Sequence, residues 1–241
     1  MKKLLSVAVA TLAVAAVADY TPQQVGVTAV TTTLKSTVVS VPFTSLAGGN
    51  ISAKELVKTT NLAEGTCLYV FQDNAYTGWV LANNQWAPAT TASTVDGVSV
   101  GIPAENQKLN AGDAIWLVRP STDTGSKTFY IYGTPVAGLT SKTIPATGDA
   151  VVHNLVANPL QSAATISIET VVAGDEIIIP GDGVPVRYNY KTRKDGTGGT
   201  WRCNGQAASL PTIAVGQGFW YIRAANSAAA TITFAAPSSG N

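Results

Sequence analysis

The sequence is poor in the residues that carry most side-chain chemistry. Its 241 residues include 1 histidine, 2 cysteines and 1 methionine, and the methionine is the initiator. His153 and the widely separated Cys67 and Cys203 cannot supply the three or four closely spaced ligands of a strong zinc site. No C-x-x-C pair points to redox work. Asp73, Asp123, Asp175, Glu176, Asp182 and Asp195 occur in turn-like segments without EF-hand spacing or clustering, where Asp is favoured for its turn chemistry alone. No metal and no cofactor is therefore expected. Charged residues make up 12% of the chain, about half the share usual in globular domains. The charge is also nearly balanced, so no basic field exists to attract nucleic acid. Long apolar runs are missing as well, and no transmembrane segment is expected in the mature chain.

What is present begins with an export signal. Lys2 and Lys3 form a positive start, residues 4–14 an apolar stretch, and Ala16-Val17-Ala18 a small-residue cleavage box. The apolar stretch is too short for a hydrocarbon core that needs roughly 20 residues. Residues 1–18 thus read as a cleavable signal peptide, with the mature chain starting near Asp19. A lipobox cysteine and a pilin-type start are both absent. The expected location is secreted, extracellular or at the cell surface, with the periplasm as an alternative. Without the two signal lysines, the 15 basic residues become 13 against 14 acidic ones, a net charge of minus one. Export also permits a disulfide between Cys67 and Cys203, with two separate buried thiols as the alternative.

Thr, Ala, Ser, Gly and Val replace the missing charges, and Val and Thr favour strands. A degenerate internal repeat organises them. Leu109-Asn110-Ala111-Gly112-Asp113-Ala114-Ile115-Trp116-Leu117-Val118-Arg119 is similar to Ile213-Ala214-Val215-Gly216-Gln217-Gly218-Phe219-Trp220-Tyr221-Ile222-Arg223. With a one-residue gap, Asn61 to Val70 aligns with Val171 to Ile179, and Trp86 and Trp201 fall at similar places. Val38-Val39-Ser40-Val41-Pro42-Phe43 matches Leu155-Val156-Ala157-Asn158-Pro159-Leu160, a strand halted by proline. Short strands separated by turns such as Asp73-Asn74, Asn83-Asn84, Gly181-Asp182-Gly183 and the 195–199 Gly-rich segment predict an all-β chain of two related β-sandwich or barrel-like domains. The expected boundaries are 19–133 and 143–241, joined by a linker at 134–142. A single short helix is expected at 52–59, where Ser52 and Glu55 have capping-box spacing.

Asn158-Pro159, Gly174-Asp175, the Tyr/Trp strands and Gly216-Gln217-Gly218-Phe219-Trp220 resemble a broad set of functionally uncharacterised exported β-repeat domains of Gram-negative bacteria. The first copy departs from the pattern, with Val41-Pro42-Phe43 and Gly112-Asp113-Ala114 at the corresponding places. The resemblance implies secretion and a β fold, and it carries no activity.

Catalytic residues are not assigned. His153 sits on an alternating strand as an outward polar residue, and no G-x-S-x-G elbow accompanies it. Asp113 and Asp175-Glu176 are the best-placed carboxyls for glycosidase-like chemistry. Gln217 and Thr66 replace Asp113 and Asp175 in the other copy, which suits turn-forming roles. The 191–199 segment lacks phosphate-loop spacing and reads as a charged hairpin tip. Of the aromatics, Trp116 and Trp220 lie in apolar strands and are expected in the core. Trp79 and Trp86, flanking a turn, together with Tyr76, are expected to be exposed and are the candidate ligand-binding residues. The leading expectation is a non-enzymatic exported structural or adhesive protein, working by self-association or with a protein or glycan partner at the cell surface. The N-terminal strand, at 25–33, could complete a neighbouring subunit's sheet. A carbohydrate-binding module is the alternative, and a secreted hydrolase with an atypical site is the third.

Overall fold

Period-two alternation of Val, Ile and Thr between Gly- and Asn-rich turns produces the expected class: the computed structural model is all-β. It describes residues 26–237 apart from 33–34, 53–54, 56–60, 73–74, 96, 105–106, 137, 139 and 181–183. The 1–18 signal, the Asp73-Asn74 and Gly181-Asp182-Gly183 turns and most of the helix expected at 52–59 lie outside the described residues. The two residues of the expected capping box are described, and they bond: Glu55 Oε2 accepts from Ser52 N at 2.9 Å. Among the described residues, no sheet closes into a barrel and no helix is long and apolar enough to cross a membrane.

The sheets fall into two sets along the chain. In the first, β1 (Gly26–Thr32) pairs with β12 (Lys127–Pro135), which pairs with the short β3 (Phe43–Thr44). A neighbouring ladder joins β4 (Ile51–Ser52) to β10 (Lys108–Leu109). The larger sheet runs β2 (Ser36–Ser40), β11 (Ala114–Val118), β5 (Cys67–Gln72), β6 (Ala75–Ala82), β9 (Val98–Gly101), β8 (Ser93–Val95), with β7 (Gln85–Pro88) also on β6. In the second set, one sheet runs β13 (Ser141–Ile144), β22 (Ala230–Ala235), β15 (Ala164–Glu169), β20 (Thr212–Ile213). The other runs β14 (Val152–Ala157), β21 (Gly218–Arg223), β16 (Glu176–Ile179), β17 (Val186–Thr192), β18 (Gly199–Cys203), β19 (Gln206–Ala207). Each set encloses its own apolar cluster drawn from all of its sheets. Val39, Leu68, Trp79, Ile115 and Phe129 are among the first cluster, and Val156, Ile177, Phe219, Ile232 and Phe234 among the second.

The registers of the two sets correspond residue by residue. Ser40 faces Ala114 as Ala157 faces Gly218, and Val118 faces Cys67 as Ile222 faces Glu176. Leu81 faces Trp86 as Tyr190 faces Trp201. The connection between the sets is shorter than the 134–142 expected from sequence. Thr134 and Pro135 continue β12 by pairing with Thr44 and Phe43, and β13 already starts at Ser141. Proline is tolerated there because it ends the strand, where its missing N–H breaks no ladder.

Four strands are buried on both faces, and this joins the sets. On β2 and β11, Val39, Ile115 and Leu117 point into the first core, while Val38, Ala114 and Trp116 point the other way. On β14 and β21, Val156, Phe219 and Tyr221 enter the second core, while Leu155, Ala157 and Trp220 face outward. The outward residues form a third apolar cluster, a seam between the halves. Trp116 and Trp220 meet edge to face there, centroids 5.5 Å apart, and Tyr69 packs 5.1 Å from Trp116. The contacts are reciprocal: β2 touches β21, and β14 touches β11. That is the pattern of an isologous interface, here within one chain. Polar bonds fasten its margins. Ser40 N donates to Gly216 O at 3.1 Å, Ser40 Oγ to Asn158 O at 2.6 Å, and Tyr76 Oη to His153 O at 2.7 Å.

Candidate functional site

Two grooves open where the halves meet. The first, of about 470 Å³, is built by the end of β5, the turn before β11, and β13 with the residues after it. Gly112, at φ 90°, makes the tight turn that places Asp113 at the groove. Asp113 Oδ2 accepts from Asn110 N at 2.8 Å and from Gln72 Nε2 at 3.0 Å. Its Oδ1 takes Lys142 Nζ from the other half at 2.8 Å. Gln72 is held further: its Nε2 also donates to Lys108 O at 2.8 Å, and its Oε1 accepts from Gln107 Nε2 at 2.9 Å. Gln107 Oε1 in turn bonds Thr77 Oγ1 at 3.1 Å. Exposed Asn50 and Asn110 are tied by an amide–amide bond of 2.7 Å, and Phe71 supplies an apolar wall. The result is a set of planar amides and one ion pair whose positions are set by protein–protein bonds.

The second groove, of about 700 Å³, lies against Tyr76, Ser99 and His153. His153 is exposed on β14, as its alternating context predicts. Loss of water around it lowers its pKa; Glu176 opposes this and Arg187 adds to it. Tyr76, closed off by the seam, has its phenol pKa pushed up by burial, with a hydrogen bond to Trp220 pulling the other way.

The carboxyls singled out from sequence have structural work. Asp113 and Gln217 both accept the amide three residues earlier, Gln217 Oε1 from Ala214 N at 3.1 Å. Asp175 is fully enclosed: its oxygens accept from Val172 N at 3.1 Å, Ala224 N at 3.0 Å and Tyr221 Oη at 2.6 Å, and it pairs with Arg223. Burial and this carboxylate push the Tyr221 phenol pKa up. Glu176 pairs with Arg187 at 3.0 Å. At the 191–199 tip, Asp195 Oδ1 accepts from Thr197 N at 2.9 Å, an ordinary turn bond between β17 and β18.

The aromatic candidates are corrected. Trp79 and Trp86 are 4% and 1% exposed and belong to the first core, and Tyr76, 6% exposed, faces the seam. The Asn83-Asn84 turn between the tryptophans does exist, with both residues at positive φ as a two-residue hairpin requires. Such a tight turn keeps Leu81 opposite Trp86, so Trp79, Leu81 and Trp86 share the inward face. Asn83 and Asn84 at the turn, with Gln85 beside them, are exposed instead. The Cys67–Cys203 bridge is not formed: both are free thiols, half-buried on strands of different halves. Sequence reasoning missed Asn50, Gln72, Lys108 and Lys142. The unbroken apolar runs of β11 and β21 were the available signal, because antiparallel strands read that way when both faces are covered.

Compared with protein families, with curated proteins and with solved structures, the chain gives no match.

Proposed function

We propose that this chain is an exported, non-enzymatic protein of the cell surface or extracellular space, built as two repeat-related β-sandwiches, and that its work is structural or adhesive contact. The observation that supports this most is the seam. Trp116 and Trp220, at corresponding places in the two halves, pack on each other and join the halves. A polypeptide that devotes two faces of four strands to internal packing is suited to presenting fixed surfaces. The carboxyls that could have served hydrolysis are instead bonded to turn amides, Arg223, Lys142 and Arg187. Residues 1–18 supply the route out of the cytoplasm.

The N-terminal strand considered for a neighbouring subunit pairs here with β12 of its own chain, from Gly26 opposite Gly133 to Thr32 opposite Lys127. Self-association on this reading uses outer surfaces with β1 kept in place. The test is to express the full precursor, sequence the N-terminus of the exported product, and examine it by light scattering and electron microscopy. A product starting near Asp19 that forms ordered assemblies or coats cells supports the reading. Retention in the cytoplasm, or a monomer that adheres to nothing, overturns it.

A further inference from the structure

We propose that the groove between the halves, lined by Asn50, Phe71, Gln72, Asn110, Lys142 and Thr143, binds a saccharide. Its size, about 470 Å³, falls within the roughly 300–1,000 Å³ of small-ligand clefts. The lining matches the chemistry of sugars. Asn50 and Asn110 each keep one N–H and one carbonyl lone pair beside their mutual bond, a donor and an acceptor as vicinal hydroxyls require. Gln72, whose two N–H groups are engaged, keeps an acceptor, and Phe71 offers an apolar face for the C–H side of a pyranose.

The lining is also organised before any ligand arrives. Gln72 is fixed by Lys108 O, Gln107 and Asp113, and Asn110 by Asn50, so little side-chain freedom is left to lose on binding. Lys142 reaches across from the second half to Asp113, which makes the groove a property of the assembled seam and of neither half alone. Lys108 stands exposed at the rim beside this neutralised pair, so an acidic sugar is accommodated as well as a neutral one.

A peptide is the competing occupant, and the geometry disfavours it. The edge strand at the groove, β13, has only 4 residues, carries Lys142 and is followed by Pro145. Short length, a lysine and a proline are the devices that keep a strand edge from accepting another strand. The site gives the adhesive reading a ligand class, and it requires no self-assembly.

The experiment is a glycan array of neutral hexose, N-acetylhexosamine and hexuronate oligomers, probed with the labelled mature chain and followed by calorimetry on the soluble oligomer that binds. Asn50→Ala weakens binding about tenfold, the loss of one well-placed hydrogen bond, and Thr143→Trp, filling the groove from an exposed position, abolishes it. Arg187→Ala, away from the groove, leaves affinity unchanged. Circular dichroism confirms that each variant folds. A blank array, binding that survives Thr143→Trp, or capture of extended peptides in place of sugars overturns the proposal. Assemblies without glycan binding would sink the groove alone; glycan binding by a monomer would keep the groove and adhesion while sinking self-assembly.

Discussion

The two halves place an arginine at the same point and neutralise it from opposite directions. Arg119 follows β11 and Arg223 ends β21, both buried. Each collects main-chain carbonyls at the end of its sheet: Arg119 those of Thr32 and Gly125 at 3.3 and 2.9 Å, Arg223 those of Thr170 and Ala228 at 2.7 and 2.8 Å. In the first half the countercharge is Asp123, from the turn after the arginine, 2.8 Å away. In the second it is Asp175, from the turn before β16. Thr66 holds the position of Asp175 in the first half, and its hydroxyl makes a turn bond to Ala63 O at 2.7 Å. Strand register thus decides where the guanidinium sits, because it must point inward at the sheet's end. The carboxylate is free to arrive on any loop that reaches the same spot, since burial demands only that the charge be paired.

The sharpest way to break this comparison is to remove the deeper carboxylate. Asp175→Ala leaves Arg223 buried and also strips partners from Tyr221, Val172 and Ala224. A loss of about 3–5 kcal/mol is expected in urea denaturation. A loss of only about 0–1 kcal/mol, as for a surface pair, would show that the two halves do not depend on the pairing.

Next is the seam. At position 218 a Cβ would run into Val38 Cγ1 and approach Val156 O to 2.9 Å, whereas the corresponding Ala114 carries its Cβ within the same cluster. Gly218→Ala should cost about 1–3 kcal/mol by overpacking, with Val38→Ala in the same chain recovering part of it. Thermal melts followed by tryptophan fluorescence read both, because Trp116 and Trp220 sit at the contact.

A third test uses pH. The hydrogen bond from Arg119, aided by Lys127, holds the Asp123 carboxyl below its ordinary range against the opposing effect of burial. Its folded pKa is therefore below its unfolded one, so its contribution is complete above about pH 4 and is lost as pH falls through the folded value. Asp123→Asn should remove that part of the acid-side decline in stability while leaving the neutral-to-alkaline profile parallel to the parent. An unchanged acid limb would sink the assignment. The smallest effect is expected at Arg187–Glu176, where the arginine side chain is 56% exposed. Arg187→Ala should change stability by no more than about 1 kcal/mol, less at high salt.

Much of the architecture was legible in the residues. The Gly-x-x-x-Trp-x-x-Arg repeat located β11 and β21, and the match of residues 65–70 to 174–179 reproduces the observed register. Asn83-Asn84 marked a real hairpin because two successive αL positions favour asparagine. The candidate site was less legible. Trp79 and Trp86 look exposed beside a turn, yet a two-residue hairpin preserves register and turns both inward. The groove draws Gln72 and Asp113 from one half and Lys142 from the other, and no local pattern reports a contact made across such a distance in the chain.

The sequence by itself determined the all-β class, the placing of the Asn83-Asn84 turn and the two-fold recurrence of the strand that carries tryptophan. All of these follow from short-range rules of side-chain alternation and backbone preference. Only the tertiary structure decided which tryptophans are core and which form the seam. It also decided which aspartate answers each arginine and that a polar groove opens between the halves. Those outcomes depend on which surfaces meet when the sheets pack, and packing is settled by all the residues of a face together.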